Sequence, residues 1–302
     1  MIAHAGDLLI DGGVVVIPTE TVYGLACNAM DEDAVRRVFE IKGRPAENPL
    51  IVHLSEAEQM EDVAVDIPDL AWKLAARYWP GPLTMVLRRG PEVPKVTTGG
   101  LETVAVRVPA HVVAREIIEA AGCPIAAPSA NVFMGLSPTN AYDLDPEILV
   151  DVDLVVDGGP CEYGLESTVI DLTAETPRIL RPGAVSRGEI QSLIGRPLGH
   201  MPPEEVRKSP GMYRRHYAPS SPVRLIDRVL QADEVGLTFG AAQSELQVKM
   251  PKDARAYGAV LYSALKQLDL RKPKAILVEE PPEGAEWEAV WDRLRKASAN
   301  LL

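Results

Sequence analysis

The fold of this chain is decided by residues 14–54, VVVIPTETVYGLACNAMDEDAVRRVFEIKGRPAENPLIVHL. The first four residues are β-branched, which predicts a strand buried on both faces of a sheet. Asp31 can cap a helix whose apolar side chains recur at helical spacing. The helix should end at Lys42, because Gly43 can adopt the left-handed conformation that closes a helix. A second apolar run then predicts another strand, which carries His53.

Polar side chains cluster in the two loops of this unit. Thr19, Thr21 and Tyr23 follow the first strand, and Lys42 and Arg44 flank the end of the helix. Fixed hydroxyl donors beside fixed positive charge suit a small anionic ligand. The alternative is that the cations only complement the helix dipole and that the threonines make ordinary turns. On these residues alone the alternative is favoured.

Three motifs in a fixed order change that interpretation. They are PTETVYGL at 18–25, KGRP at 42–45 and SAN at 129–131. Together they resemble the YrdC-like family of threonylcarbamoyl-AMP synthases, in its long two-domain form. The family signature pairs Lys-x-Arg with Ser-x-Asn, and the corresponding residues here are Lys42, Arg44, Ser129 and Asn131.

The resemblance implies an α/β fold, with a YrdC-like twisted mixed sheet and helices followed by a smaller, Rossmann-like α/β domain. The alternation of predicted strands and helices in the first part of the chain agrees with this fold class. We expect a YrdC-like catalytic domain at 1–196 and a small C-terminal α/β domain at 222–302. Residues 197–221 are rich in proline and basic side chains, and they are expected to form a linker that covers the active site.

The resemblance also implies site residues spread over the first domain and the linker. Lys42 and Arg44 are expected to be catalytic, by neutralising charge on a carbamate and on phosphates. The residues implied for L-threonine are Thr21, His53, Arg107, Ala127 and Ser167. The residues implied for ATP are Arg44, Asn48, Thr103, Ser129, Ser137, Arg181 and Tyr217. Asn131 is expected to support the Ser129 loop, and no general base is assigned.

Two further expectations concern groups outside this set. Glu166 has the chemistry of a base, but its position between strands favours an exposed loop acid. The C-terminal domain shows no catalytic constellation, and we expect it to hold the linker in place and to gate the site. Because the usual phosphate-loop motif G-x-x-x-x-G-K-[ST] is absent from the sequence, ATP binding is implied by the resemblance.

The reaction implied by the resemblance joins L-threonine, bicarbonate or CO2, and ATP, giving threonylcarbamoyl-AMP and pyrophosphate for threonylcarbamoyladenosine modification of tRNA. Such an enzyme is a nucleotidyltransferase, and Mg²⁺ is expected to arrive with the ATP. A separate tRNA threonylcarbamoyl transferase would receive the adenylate, so direct tRNA binding is not expected. Two alternatives stay open: a carbamoyl-transfer enzyme on the same fold, and an RNA-binding module with a basic concave face.

The composition of the chain helps to decide between these alternatives. The 302-residue chain has a net charge of −12, and a field of that sign repels the phosphate backbones of nucleic acids. The three cysteines are far apart and odd in number, which is typical of reduced thiols in a cytosol. The histidines lack metal-ligand spacing, so we expect no metal site of the protein's own. No apolar run could cross a membrane and the N-terminal residues lack a secretion signal, so we expect a cytoplasmic protein.

Overall fold

The computed structural model of the chain describes residues 1–199, 213 and 215–299. Its larger sheet is built from β1 (Val15–Ile17), β2 (Gly24–Asn28), β3 (Ile51–His53), β4 (Ala64–Val65), β5 (Leu83–Arg89), β6 (Thr103–Arg107), β7 (Ile125–Ala126), β8 (Leu154–Val155), β9 (Thr168–Asp171) and β10 (Arg178–Arg181). The strand order is β10-β9-β5-β6-β3-β7-β2-β1-β8, and β4 pairs with β5. The pairs β1–β8, β3–β6 and β5–β9 are parallel and the others antiparallel, so the predicted mixed sheet is confirmed.

Helices cover both faces of this sheet. Those that accompany it are α1 (Ile2–Ile10), α2 (Glu32–Lys42), α3 (Met60–Val63), α4 (Asp69–Tyr78), α5 (Val112–Ala121), α6 (Pro146–Asp151) and α7 (Arg187–Ile194), with a 3-10 turn at Ala141–Asp143. Successive residues of a strand point to opposite faces. Val16 accordingly joins a buried cluster with Val38 of α2, while Ile17 joins another with Leu9 of α1 and Ile117 of α5. The prediction that the first strand is buried on both faces is therefore confirmed.

Helix α2 has the ends that the sequence predicts. The Asp31 carboxylate accepts from the backbone N–H groups of Asp33 and Ala34, which satisfies donors left free at a helix start. Gly43 follows Lys42 with a φ of 59°, in the left-handed region. This cap fixes where the chain turns, and so it fixes the direction in which Lys42 leaves the helix.

Strand β2 is an element that the sequence did not predict. It pairs antiparallel with β1, with Gly24 opposite Ile17. Glycine, alanine and asparagine disfavour strands, so its sequence GLACN resembles a loop. Gly24 is required by a close approach, because a Cβ there would lie 3.1 Å from the Cβ of Ala127. Tertiary packing therefore overrides local preference in β2.

The smaller sheet is entirely parallel. It consists of β11 (Val223–Ile226), β12 (Gly236–Thr238), β13 (Gln247–Lys249) and β14 (Ile276–Glu279), in the order β11-β14-β12-β13. Helices α8 (Ala254–Asp269) and α9 (Glu288–Ser298) accompany it, with a 3-10 turn at Ala285–Trp287. Its apolar core also includes Val22, Leu136 and Leu165 from the first part of the chain. The two sheets therefore share a continuous buried contact.

We retain 1–196, 197–221 and 222–302 as the proposed domain division. Residues 200–212 and 214 of the proposed linker lie outside the described residues. Within the described ranges, none of the helices has the length and apolar character needed to cross a lipid bilayer.

Candidate active site

A small cavity of about 50 Å³ lies where several loops of the larger sheet meet. Most of the predicted site residues line it: Thr21, Lys42, Arg44, His53, Arg107, Ala127, Ser129, Asn131, Ser167, Arg181 and Tyr217. They come from strand ends, the C-terminus of α2 and the loops after β7 and before β9. The sheet register explains part of the clustering, because His53 of β3 lies opposite Arg107 of β6.

Lys42 joins two of the sequence motifs. Its ammonium Nζ donates to the backbone carbonyl oxygens of Ser129 and Asn131, each at 2.5 Å. The side chain is only 2% exposed. Burial, with a smaller contribution from the charge of Arg44, lowers the pKa of Lys42 well below its usual value. Lys42 therefore brings the helix end and the Ser-x-Asn loop together at the cavity wall.

Arg44 is the second buried cation beside the cavity. Its Nη2 donates to the carbonyl oxygen of Pro49 at 2.9 Å, while its Nε has no hydrogen-bond partner among the described residues. Burial lowers the pKa of Arg44 to about 10, so the guanidinium stays charged at neutral pH. One buried donor of Arg44 is thus left for another molecule.

Arg107 lies at the end of β6 with its charge already balanced. Its Nη2 donates to the Glu20 carboxylate at 2.5 Å, and its Nη1 donates to the Thr21 hydroxyl at 2.9 Å. Nε donates to the carbonyl oxygen of Gly81 at 3.2 Å. Glu20 is 4% exposed, and its second oxygen has no partner among the described residues. The sequence analysis missed Glu20, although it lies between two threonines of the PTETVYGL motif.

His53 is held as a neutral ring. It is buried, and its Nδ1 lies 3.1 Å from the carbonyl oxygen of Ile51. Burial, assisted by the positive charge of Arg107, lowers the pKa of His53 to about 3. We infer that Nδ1 carries the proton and donates to Ile51, which leaves Nε2 as an acceptor.

Ser167 and Arg181 form one hydrogen-bonded unit. Arg181 donates through Nε to the Ser167 carbonyl oxygen and through Nη2 to the Ser167 hydroxyl, both at 3.0 Å. The same hydroxyl lies 2.7 Å from the hydroxyl of Thr84 on β5. Because two N–H groups of one guanidinium bind the same residue, the orientation of Arg181 is fixed.

The chain after residue 214 brings aromatic rings to the cavity. His216 and Tyr217 both line it, and their ring centroids lie 4.0 Å apart. Tyr217 has a φ of 56°, which is unusual for a bulky side chain, and its N–H donates to Nδ1 of His216. The Tyr217 hydroxyl is buried without a partner among the described residues. Arg214, in the same segment of the proposed linker, lies outside the described residues.

Comparison with known proteins decides the family. A family model described as telomere recombination, and named for Sua5, YciO and YrdC, matches residues 7–183. A second model, described as the C-terminal domain of threonylcarbamoyl-AMP synthase, matches residues 185–299. The chain belongs to the threonylcarbamoyl-AMP synthase family.

Members of this synthase family match nearly the whole chain. The threonylcarbamoyl-AMP synthase of Pyrococcus abyssi is 41% identical, over 97% of this chain and 93% of its own length. That of Bacillus subtilis is 38% identical, over 100% of this chain and 94% of its own length. The solved structure of P. abyssi Sua5 complexed with L-threonine matches with a TM-score of 0.88 and 40% identity, over 98% of this chain and 94% of that one. The resemblance to the long, two-domain form is confirmed.

Three residues predicted from the synthase family do not line the cavity. Asn48 lines a neighbouring depression, where its Oδ1 accepts from the Tyr213 hydroxyl at 2.5 Å. Thr103 begins β6 and Arg107 ends it, which separates them by roughly 13 Å of extended chain. Ser137 lies behind the cavity wall and donates to Glu166 at 2.6 Å. Their predicted contacts with a nucleotide stay predictions.

Glu166 is not the exposed loop acid that the sequence suggested, and that expectation is wrong. It is 5% exposed and lines the cavity. Its carboxylate accepts from Tyr262 at 3.0 Å and from Arg293 at 2.8 Å. Both partners come from the C-terminal part of the chain, so no local pattern around Glu166 could reveal them.

The described part of the chain contains no group of three or more His, Cys, Asp or Glu side chains placed to hold a metal ion. The charged groups that face the cavity are mainly cations: Lys42, Arg44, Arg107 and Arg181. Such a lining is suited to carboxylate and phosphate groups rather than to a bare metal.

Proposed function

We propose that the chain is an L-threonylcarbamoyladenylate synthase, a nucleotidyltransferase of the cytoplasm. It joins L-threonine, bicarbonate or CO2, and ATP to give threonylcarbamoyl-AMP and pyrophosphate. The observation that carries this proposal is the convergence of Lys42, Arg44, Arg107 and Arg181 on one cavity. The names of the full-length relatives and the match of the second family model to 185–299 support a synthase over a carbamoyl-transfer enzyme.

Unsatisfied polar atoms around the cavity support a polar ligand. Arg44 Nε, Asn131 Oδ1 and the Tyr217 hydroxyl are all buried without hydrogen-bond partners among the described residues. Leaving a buried polar group unpaired costs about 1–3 kcal/mol. A ligand with both anionic oxygens and hydroxyl groups would satisfy all three atoms, and ATP has both.

The threonine side of the site is assigned to Thr21, His53, Arg107, Ala127 and Ser167. In this proposal Arg107 binds the substrate carboxylate while Glu20 holds the guanidinium in place. Neutral His53 accepts a hydrogen bond without adding charge, and the Ala127 backbone approaches the amino acid. The deprotonated amine then attacks CO2, which forms a carbamate and releases a proton.

The ATP side is assigned to Arg44, Asn48, Thr103, Ser129, Ser137, Arg181 and Tyr217. A carbamate oxygen attacks the α-phosphorus, the bond from that phosphorus to the bridging oxygen breaks, and pyrophosphate leaves. Both reactants are anions, so Lys42 and Arg44 lower the barrier by neutralising charge and fixing position, while Asn131 supports the Ser129 loop. Mg²⁺ comes with the triphosphate and neutralises part of the charge that develops there.

We propose that the site opens to bind its substrates. Ligand pockets have volumes of about 300–1,000 Å³, far more than the 50 Å³ of this cavity. Phe133 lines both this cavity and the depression that contains Asn48 and Tyr213. In our proposal the nucleotide extends past Phe133 into that depression, once the aromatic side chains move apart.

The decisive experiment measures pyrophosphate release from ATP with threonine and bicarbonate, omitting each in turn, and detects threonylcarbamoyl-AMP by mass spectrometry. Pyrophosphate release should require threonine and bicarbonate. Release that is independent of threonine would refute the proposal, and activity only with carbamoyl phosphate would favour the carbamoyl-transfer alternative. Addition of a tRNA threonylcarbamoyl transferase and tRNA should consume the adenylate.

A further inference from the structure

A buried ion pair connects the C-terminal helix to the active-site wall. Arg293 of α9 is 1% exposed, and its Nε lies 2.8 Å from an oxygen of Glu166. The Glu166 carboxylate also accepts from Ser137 and from Tyr262. The charge of this buried carboxylate is balanced by the Arg293 cation, and its oxygens also accept from two hydroxyl groups. Removal of the cation would leave the carboxylate with two neutral partners.

Arg293 contacts two other segments of the site. Its Nη1 donates to the carbonyl oxygen of Pro182 at 2.9 Å, and its guanidinium lies 4.8 Å from the centroid of the Tyr217 ring. Pro182 directly follows Arg181, and Tyr217 lines the cavity. Arg293 therefore contacts three groups at the border of the cavity: the Glu166 carboxylate, the Pro182 carbonyl oxygen and the Tyr217 ring.

We propose that Arg293 is a positioning residue for the nucleotide, acting through Glu166, the peptide after Arg181 and the ring of Tyr217. The inference rests on the proposed function, because that function assigns Arg181 and Tyr217 to ATP. Arg293 itself does not touch the substrate. It gives the C-terminal domain a direct part in nucleotide affinity, beyond holding the linker.

The unusual backbone of Tyr217 strengthens this inference. A tyrosine with a φ of 56° needs contacts that favour this conformation over the ordinary ones. The contacts present are the His216 ring, the stacked ring of Tyr262, whose centroid lies 6.0 Å away, and two cations. Arg293 lies 4.8 Å and Lys296 5.9 Å from the Tyr217 ring centroid. Removing the nearer cation should let Tyr217 relax and should weaken nucleotide binding.

The charge of Glu166 gives this role a pH signature. Burial alone would raise the pKa of Glu166, but the cations Arg293 and Arg181 outweigh it and hold that pKa to about 2. The titratable and charged groups around Glu166 are Arg181, His216, Tyr217, Tyr262 and Arg293. Without Arg293 the largest interaction that lowers the pKa of Glu166 is lost, so burial should raise that pKa, and a protonated Glu166 would compete as a donor with Ser137.

The test compares Arg293→Met, Arg293→Lys and the double variant Glu166→Gln/Arg293→Met in the full-length protein. The main measurement is calorimetric binding of the ATP analogue AMPPCP with Mg²⁺, at pH 6.5 and pH 9. Threonine and bicarbonate are left out, because the α–β bond that the proposed reaction breaks is intact in this analogue. KM values for ATP and threonine are measured in parallel. Arg255→Met is the matched control, because Arg255 makes an exposed ion pair with Glu162 between the same two parts of the chain.

We expect Arg293→Met to weaken AMPPCP binding at least tenfold at pH 6.5 and less at pH 9, with a larger change in KM for ATP than for threonine. Arg293→Lys should recover most of the affinity. The double variant should lose the pH dependence but recover only part of the affinity, because it still lacks the Pro182 hydrogen bond and the Arg293 cation beside Tyr217. Arg255→Met should resemble the wild type.

Two results would overturn the inference. One is a folded Arg293→Met variant that binds AMPPCP within twofold of the wild type. The other is an equal, pH-independent loss in all the Arg293 variants, which would indicate a structural role alone. A wild-type protein that binds AMPPCP but makes no threonylcarbamoyl-AMP would refute the proposed function and leave the inference standing. A wild type that binds no AMPPCP would refute both.

Discussion

The ammonium nitrogen of Lys42 lies 2.5 Å from the backbone carbonyl oxygen of Asn131. This contact joins two motifs that are far apart in the sequence. Carbonyl dipoles stabilise an ammonium group without cancelling its charge, and so they oppose the burial that lowers the pKa of Lys42. An anionic substrate in the cavity would favour the charged form further.

Replacing Lys42 with methionine should abolish most activity while preserving the fold. Methionine fills a similar volume but carries no charge, so threonine-dependent pyrophosphate release should fall about 100-fold or more. Far-ultraviolet circular dichroism should match the wild type. Lys95→Met is the control, because Lys95 is 68% exposed and pairs with Glu102. A rate for Lys42→Met within threefold of the wild type would mean that the site is misplaced.

Arg107→Lys tests the threonine side. Lysine cannot contact Glu20, Thr21 and the Gly81 carbonyl in the planar arrangement that the guanidinium uses. We expect KM for threonine to rise at least tenfold and KM for ATP to change much less. Arg89→Lys is a suitable control, since Arg89 pairs with Glu102. An effect confined to KM for ATP would reverse our assignment of Arg107.

Tyr217→Phe separates binding from stability. The Tyr217 hydroxyl is buried without a partner among the described residues, so its removal should leave Tm unchanged or raise it slightly. AMPPCP affinity, measured by calorimetry, should fall roughly three- to tenfold through loss of one hydrogen bond. Tyr257→Phe removes another buried hydroxyl without a described partner, from the core of the smaller sheet, and should leave affinity unchanged. Equal effects of both substitutions would contradict the assignment of Tyr217.

The buried histidines should make the protein less stable in mild acid. The pKa of His53 is about 3 in the folded chain and about 6.5 in an unfolded one, so the unfolded chain binds more protons between these values. Stability is therefore lost as the pH falls below 6.5, by about 2 kcal/mol from this group at pH 5. His216, whose pKa is also lowered to about 3 by burial, should add a similar loss.

Urea unfolding at pH 7.5 and pH 5 measures this loss. The difference in unfolding free energy between the two pH values should shrink by about 2 kcal/mol in His53→Gln. Carboxylates contribute little in this range, because their unfolded pKa values lie near 4. His4→Gln, at an exposed position, should leave the difference unchanged. An unaltered pH dependence in His53→Gln would contradict the neutral state of His53.

Local signals predicted the parts of the fold whose causes are local. The two ends of α2 follow from Asp31 and Gly43, and Gly43 has a φ of 59°. Strand β2 was missed because its small residues disfavour strands when taken alone. It forms because Gly24 permits the approach of Ala127, which belongs to a distant loop.

The candidate site could be predicted only where family motifs named its residues. The spacing of Lys42 and Arg44 alone favoured ordinary helix-end chemistry, and the order of the motifs reversed that interpretation. Glu20 and Glu166 were missed or misjudged because their state depends on charges far along the chain. Glu20 pairs with Arg107 and Glu166 with Arg293, and neither arginine is visible in a local window.

The pairing of Glu166 with Arg293 bears on how the gene could be shortened. A stop codon placed before residue 222 would delete both Arg293 and Tyr262. The catalytic part would then be made with Glu166 lacking both partners, beside an apolar surface that the C-terminal part normally covers. We therefore expect such a truncated product to be less stable than the full-length chain, and we expect Glu166→Gln to recover part of that loss.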